Sequence, residues 1–260
     1  MHSKRGRGGD AVSRTLAIFK RELLASFESP VAYVTIGLFV LVQAGLFFYM
    51  GYPIGPTPLP SLWAGGQASL IVLFTWLPLL LAFLVPALTM GTWSEERSTG
   101  TEELLLTHPV LIREVVLGKF LASWVLVCLL VTLSIMPVAW TVSGLGDLDW
   151  ATVWCGLWGA FLLGAGYVAL AQLVSALSSH QLLAFLLGAL VLGMLWVLRL
   201  LVDVLPVSLA GFVDYACPST HFLDSAARGV LDLRDGLYFA LLVVFGLTLN
   251  ALVVEARRWK

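Results

Sequence analysis

The chain alternates between long runs free of Asp, Glu, Lys and Arg and shorter segments where those residues collect. Six runs stand out, approximately Val31 to Met50, Ser69 to Met90, Phe120 to Ser143, Ala151 to Leu177, Leu182 to Leu201 and Leu237 to Val254. A helix needs about 20 apolar residues to cross the hydrocarbon core of a bilayer, where every backbone N–H and C=O must find its partner within the protein. The runs are too long for barrel strands, so the pattern predicts an all-α polytopic membrane protein with six transmembrane helices. Pro78, Pro86, Pro137, Gly164 and Gly193, which fall inside the runs, suit membrane helices better than soluble ones. The first run begins at residue 31 behind a charged segment, too late and too long for a cleavable signal peptide, and is expected to be retained as span one.

Two segments outside the runs carry patterns of their own. From Val12 to Phe27 the apolar residues Val12, Leu16, Phe19, Leu23 and Phe27 recur at helical spacing, with Arg14, Lys20 and Arg21 turned elsewhere. This predicts an amphipathic helix lying in the membrane interface over residues 11–29, with Pro30 in the first turn of the helix that follows. Ahead of it, the Gly- and Arg-rich residues 1–10 read as a disordered basic tail. The second segment is the connection between spans two and three, residues 91–119. Thr99 followed by Glu102 has the form of a capping box, Glu102 and Glu103 suit a helix N-terminus, and Pro109 ends the helix about two turns later. A plain connector needs only about 2–8 residues, so the length and turn chemistry here favour a docking surface.

Charge orients the spans. Lys4, Arg5, Arg7, Arg14, Lys20 and Arg21 precede span one, Arg97, Arg113 and Lys119 lie between spans two and three, and Arg257, Arg258 and Lys260 follow span six. Arg199, Arg228 and Arg234 lie at or beyond the outer end of span five. By the positive-inside rule both termini and the 91–119 loop are cytoplasmic. All eight Glu are then inside and seven of the eight Asp outside. The total of 15 basic and 16 acidic residues leaves a formal charge of −1 and gives no reason to expect a nucleic-acid partner. With 59% hydrophobic and 12% charged residues, a soluble globular domain is excluded. Cys128, Cys155 and Cys217 have no paired spacing and read as packing residues.

The string Glu95-Glu96-Arg97-Ser98-Thr99-Gly100-Thr101-Glu102-Glu103-Leu104-Leu105-Leu106-Thr107-His108-Pro109-Val110 resembles the corresponding loop of ABC-2 type transporter permeases, in particular the GldF and NosY-like branch. A second resemblance lies in Pro218-Ser219-Thr220-His221-Phe222-Leu223-Asp224-Ser225, in Ala227 to Asp235, and in the closing Arg257-Arg258-Trp259. The likeness covers nearly the whole chain from about Thr15. It implies an ABC-2, type V exporter-like permease fold, N-in and C-in, with an interfacial connecting helix on the inner leaflet. The permease domain would span residues 30–255, followed by a cytoplasmic tail at 256–260.

The resemblance further implies the permease half of an ATP-driven exporter in a bacterial cytoplasmic (inner) membrane. It would work as a dimer with a second permease copy or paralogue, on a separate cytoplasmic ABC ATPase dimer that binds ATP and Mg. An accessory membrane protein would complete some such assemblies. On this reading Glu95, Glu96, Arg97, Gly100, Thr101, Glu102 and Glu103 contact the ATPase or cap the coupling helix. Residues 205–235 form an outer re-entrant segment whose Pro218, His221, Phe222, Asp224, Arg228, Asp232 and Arg234 shape an exit gate.

The chain's own chemistry fits a borrowed energy source. The Walker pattern is absent, since Gly118-Lys119 is followed by Phe120 and position 113 is Arg. The spans hold no Asp, Glu or His at mid-depth to relay ions; Arg199 and Asp203, four residues apart at the outer end of span five, are expected to pair with each other. There is no H-E-x-x-H, and His2, His108, His180 and His221 are scattered, so neither a metal site nor an intramembrane serine protease is expected, and no cofactor is expected on this chain. Gly156, Ala160 and Gly164 in span four form a small-residue stripe, read as packing against neighbours in the chain or as a dimer seam. Two further functions stay open on sequence: a membrane scaffold or anchor for a gliding-motility-type or other surface machine, and a passive channel, for which no ring of charges is visible.

Overall fold

The computed structural model describes residues 5–28, 30–54, 58–98, 111–202 and 205–257. Six helices are long and apolar enough to cross a membrane, at Ala32–Met50, Ile71–Glu95, Ile112–Ser143, Trp150–Leu177, Gln181–Leu201 and Leu233–Ala256. Among the described residues the fold is nearly all helical, with short connections and no strands beyond an isolated antiparallel bridge between Tyr52 and Leu59.

In chain order, α1 (Arg5–Glu28) leads into α2 (Pro30–Gly45), which runs on as a single π-helical turn over Leu46–Met50. Gly51 ends span one with φ 69°, its N–H bonded to Leu46 O at 2.9 Å. A side chain there would meet the Leu59 carbonyl, so this turn requires glycine. A one-turn helix α3 (Leu62–Gly65) precedes α4 (Ile71–Thr89), which passes through Met90 into α5 (Gly91–Ser98). Then follow α6 (Ile112–Ser143), α7 (Trp150–Leu177) and α8 (Gln181–Leu201). The outer segment folds as α9 (Val207–Ala216), α10 (Pro218–Asp224) and a 3-10 turn at Ala226–Arg228, and α11 (Leu233–Arg257) closes the chain.

The spans are unequal. Span four is 67% buried and span two 61%, against 17% for span one and 22% each for spans five and six. Phe74, Leu77 and Leu81 of α4, Val127, Leu130 and Ile135 of α6, and Leu163 and Tyr167 of α7 form the fully enclosed centre. The outward faces of α2, α8 and α11 present Leu41, Leu190, Met194, Leu241 and Phe245, apolar residues that suit contact with lipid rather than water.

The small-residue stripe of α7 is spent inside the chain. A side chain on Gly156 would strike the Phe74 ring, one on Gly164 would come 3.0 Å from Val127, and Ala160 is fully buried. Gly159, one residue before Ala160, lies against Ala226 and Phe222 of the outer segment. Close packing against α4, α6 and the outer turn therefore accounts for these residues.

One expectation is corrected and two are refined. The stretch read as a disordered tail is helical from Arg5, as an extension of α1 that gains one backbone bond per residue without a new nucleation step, although its glycines weaken it. Along the Val12 to Phe27 stripe, Val12 and Leu16 are 70% and 62% exposed, whereas Phe19, Leu23 and Phe27 are half-buried. Roughly a quarter of the way round α1, the half-buried Thr15, Ile18, Glu22 and Ser26 face α6, where Gly118 lets Ile18 and the Thr15 carbonyl approach. Thus one side of α1 packs on protein and a neighbouring side is left for lipid. Finally, Arg199 reaches beyond span five. Its guanidinium reaches Ser219 O at 2.9 Å and Asp224 at 3.5 Å in the outer segment; Asp203 lies outside the described residues.

Candidate functional site

On the cytoplasmic side the helices overrun the apolar runs that define them. α6 starts at Ile112, eight residues before the apolar run at Phe120, and α4–α5 continues to Ser98. At about 1.5 Å per residue these extensions carry polar side chains roughly a helical turn or two past the core. Ser94, Glu114 and Lys119 among them are nonetheless buried, because α1 lies across α6 and the end of α7 backs α5.

The chemistry of this platform centres on Lys119, only 2% exposed. Its ammonium donates to Thr92 O at 3.0 Å, pairs with Glu22 Oε1 at 3.4 Å and lies 5.2 Å from the centroid of the buried Trp93 ring. Burial alone would push the Glu22 carboxyl up. Lys119, together with Arg21 at 2.7 Å, outweighs that and holds it below its ordinary value of 4.5. Gln172 of α7 donates to Lys119 O at 3.2 Å and Ser123 Oγ at 3.0 Å, locking α6 to α7.

Four bonds tie Met90 and α5 to the cytoplasmic end of α7. Ser175 Oγ donates to Met90 O at 2.9 Å and accepts from Trp93 N at 3.4 Å. Arg97 donates from Nη1 to Ser178 O at 2.8 Å and from Nη2 to Ala176 O at 2.9 Å. A helix leaves its last carbonyls unbonded and carries partial negative charge there, so a guanidinium is well matched to this end.

The sequence-derived coupling residues divide accordingly. Arg97 is engaged with α7, Glu95 is exposed on α5, and Glu96 occupies the next position of that helix. Gly100, Thr101, Glu102 and Glu103, with the short capped helix expected from Thr99 to Pro109, lie outside the described residues. Sequence reasoning missed Glu22, Lys119, Gln172 and Ser175. The available signal was Gly118-Lys119 at the mouth of an apolar run, a close-approach residue followed by a cation that needs a partner.

On the outer side, residues 207–228 fold back against the bundle. Pro218 opens α10 at a position where its missing N–H costs nothing. Phe222 is fully buried against Phe74 and Gly159. His221 Nδ1 lies 2.7 Å from Asp235 Oδ1 and Nε2 lies 2.9 Å from Tyr215 O. Both ring nitrogens thus lie within hydrogen-bond distance of an oxygen. The ring stacks on Tyr238 at 4.0 Å, and the Tyr238 hydroxyl donates to Ala216 O at 2.8 Å. Asp224 receives Arg199 and Arg228, the latter at 3.4 Å. The structure therefore brings together Pro218, His221, Phe222, Asp224 and Arg228. Asp232 and Arg234 stand apart at the exposed start of α11, where Asp232 Oδ1 accepts from Arg234 N at 2.9 Å.

A six-span helical bundle with an interfacial leading helix, an extended inner platform and a folded-back outer segment defines a multi-pass membrane protein. Residues 16–223 match the family described as ABC-2 family transporter protein, and the chain belongs to that family. It is thus a membrane permease of an ABC transporter, a transport component without its own ATPase site, of a kind that works with a partner ATPase. No curated protein matches the chain.

Proposed function

We propose that the chain is the permease of an ATP-driven exporter of the GldF and NosY-like branch, in a bacterial inner membrane. Two permease copies, or this chain and a paralogue, stand on a dimeric ATPase that holds ATP and Mg, with room for an accessory membrane protein. The observation that carries the reading is the clamp from Arg97 to the carbonyls of Ala176 and Ser178. A connector has no need to grip the end of another span; a segment that receives force does. ATPase closure against Glu95, Glu96 and the loop through Gly100, Thr101, Glu102 and Glu103 would move α5, and Arg97 would pass that motion to α7. The outer end of α7 meets the segment containing Phe222 and Ala226, so the same helix reaches the exit gate.

The test is reconstitution with the ATPase encoded beside this chain. Association on purification is expected, and Glu102→Lys with Glu103→Lys should uncouple ATP turnover from the permease. No association, together with turnover indifferent to the charge reversal, would overturn the reading.

A further inference from the structure

The outer segment is strapped to the spans on either side of it. On one side, Arg199 of α8 donates to Ser219 O at 2.9 Å and reaches Asp224 at 3.5 Å. On the other, His221 of α10 sets Nδ1 2.7 Å from Asp235 Oδ1 in the first turn of α11, and Nε2 2.9 Å from the Tyr215 carbonyl of α9. The two straps differ in kind. A guanidinium stays charged at any pH a folded protein meets, whereas an imidazole nitrogen is a donor or an acceptor according to its proton.

Counting protons gives the condition for the second strap. The Tyr215 carbonyl only accepts, so Nε2 must carry hydrogen to bond it. Nδ1 and Asp235 must then share one more proton, held on the ring as imidazolium beside carboxylate, or on the carboxyl as acid beside neutral imidazole. When that proton leaves, one N–H remains for two acceptors, and a nitrogen lone pair faces an oxygen. One of the two contacts, to α9 or to α11, is then lost. The His221 and Asp235 side chains are 10% and 18% exposed, enough for exchange with water. Other ionisable groups are close by: Asp214 and Tyr215 on α9, and Tyr238 on α11 with Tyr167 of α7 near it. On α10 itself are Cys217, whose thiol burial pushes up, and Asp224, held by Arg199 and Arg228, while Arg234 beside Asp235 is exposed. Among these residue types only histidine ordinarily changes charge between about pH 5 and 8.

We infer that the His221–Asp235 pair is a proton-dependent latch on the outer segment. With its shared proton, α10 is held to α9 and to span six together; without it, that side is released while Arg199 still holds the other. The segment therefore opens more easily when the outer medium is alkaline than when it is acid. The bearing of this on export rests on the exit-gate reading, but the test needs neither ATPase nor cargo.

The full chain, with Cys128 and Cys155 replaced by Ala, is placed in phosphatidylcholine nanodiscs, and Cys217, fully buried, is labelled with a maleimide. Because the thiolate is the nucleophile, each rate is divided by that of His221→Phe at the same pH, which removes the thiol's own titration. Between about pH 5.5 and about pH 8.5 the parent's relative rate should rise about fivefold, the worth of one hydrogen bond. Asp235→Asn should abolish the rise and stay slow at both values, since its amide donates to a neutral Nδ1 while Nε2–H bonds Tyr215 O, with no shared proton required. A relative rate that does not change with pH, or an Asp235→Asn protein as pH-dependent as the parent, would overturn the latch. If His221→Phe is not monodisperse, the ratio of parent to Asp235→Asn decides in its place. A pH-dependent latch in a chain that supports no ATP-driven export would uphold this inference and count against the gate reading alone.

Discussion

Lys119 shows what a single cation does at the edge of a membrane span. Its neighbours come from three other segments: Glu22 on α1, Thr92 and Trp93 on α5, and Gln172 on α7 through the Lys119 carbonyl. Lys119→Met keeps the stem and removes the charge, and should cost about 1–3 kcal/mol, the range for leaving buried partners unsatisfied. A double-mutant cycle with Glu22→Gln in denaturant titrations of the detergent-solubilised protein isolates the pair. Because the folded-state value of Glu22 lies below 4.5, its contribution is complete above that ordinary value and disappears as pH falls through the lowered one. Parent and Glu22→Gln should thus differ at neutral pH and converge in acid. Gly118-Lys119 marked a cation in need of a partner, but the partner was not legible from the residues alone. A Glu and a Lys 97 positions apart carry no periodic signal, and their meeting depends on which side of α1 packs.

At the scale of elements, legibility follows physics of different range. Apolar run length is local and strongly constrained by the bilayer, so the six spans were readable to within a few residues at most ends. The helical extensions at Ile112 and Ser98 were not, because they are stabilised by packing against α1 and α7 rather than by their own composition. The Val12 to Phe27 stripe was a correct sign of a helix, and the side of that helix that meets α6 at Gly118 lies next to it. The outer residues Pro218, His221, Phe222, Asp224 and Arg228 were readable as a group because they are close in sequence; their partners Arg199, Tyr238 and Asp235 come from spans on either side. His221→Phe preserves the stack on Tyr238 and deletes both ring hydrogen bonds. At about 1 kcal/mol each, the loss should free the segment by about 2 kcal/mol. Cys217, fully buried at the α9–α10 turn, reports this directly. With Cys128 and Cys155 replaced by Ala, maleimide labelling of Cys217 should accelerate in His221→Phe.

Across the whole molecule, α7 touches every other part that matters: α4 through Gly156 and Phe74, α6 through Gln172, the inner platform through Ser175, and the outer turn through Gly159. Its 28 residues, Trp150–Leu177, lie between Asp149, which caps the helix by accepting from Ala151 N at 3.0 Å, and the carbonyls of Ala176 and Ser178 gripped by Arg97. No proline interrupts it, in contrast to α4 and α6, which contain Pro78, Pro86 and Pro137. An unbroken helix is also a ruler with a phase. One residue added to it moves one end by about 1.5 Å and turns it by about 100° relative to the other. An alanine inserted after Tyr167 therefore cannot leave both ends seated. Either the carbonyls of Ala176 and Ser178 rotate away from Arg97, or Gly159 rotates away from Ala226. Tryptic cleavage after Arg97 reads the first outcome and thiol labelling of Cys217 the second; at least one should rise, and both staying silent would mean that the two faces of the membrane are not held in register by this helix.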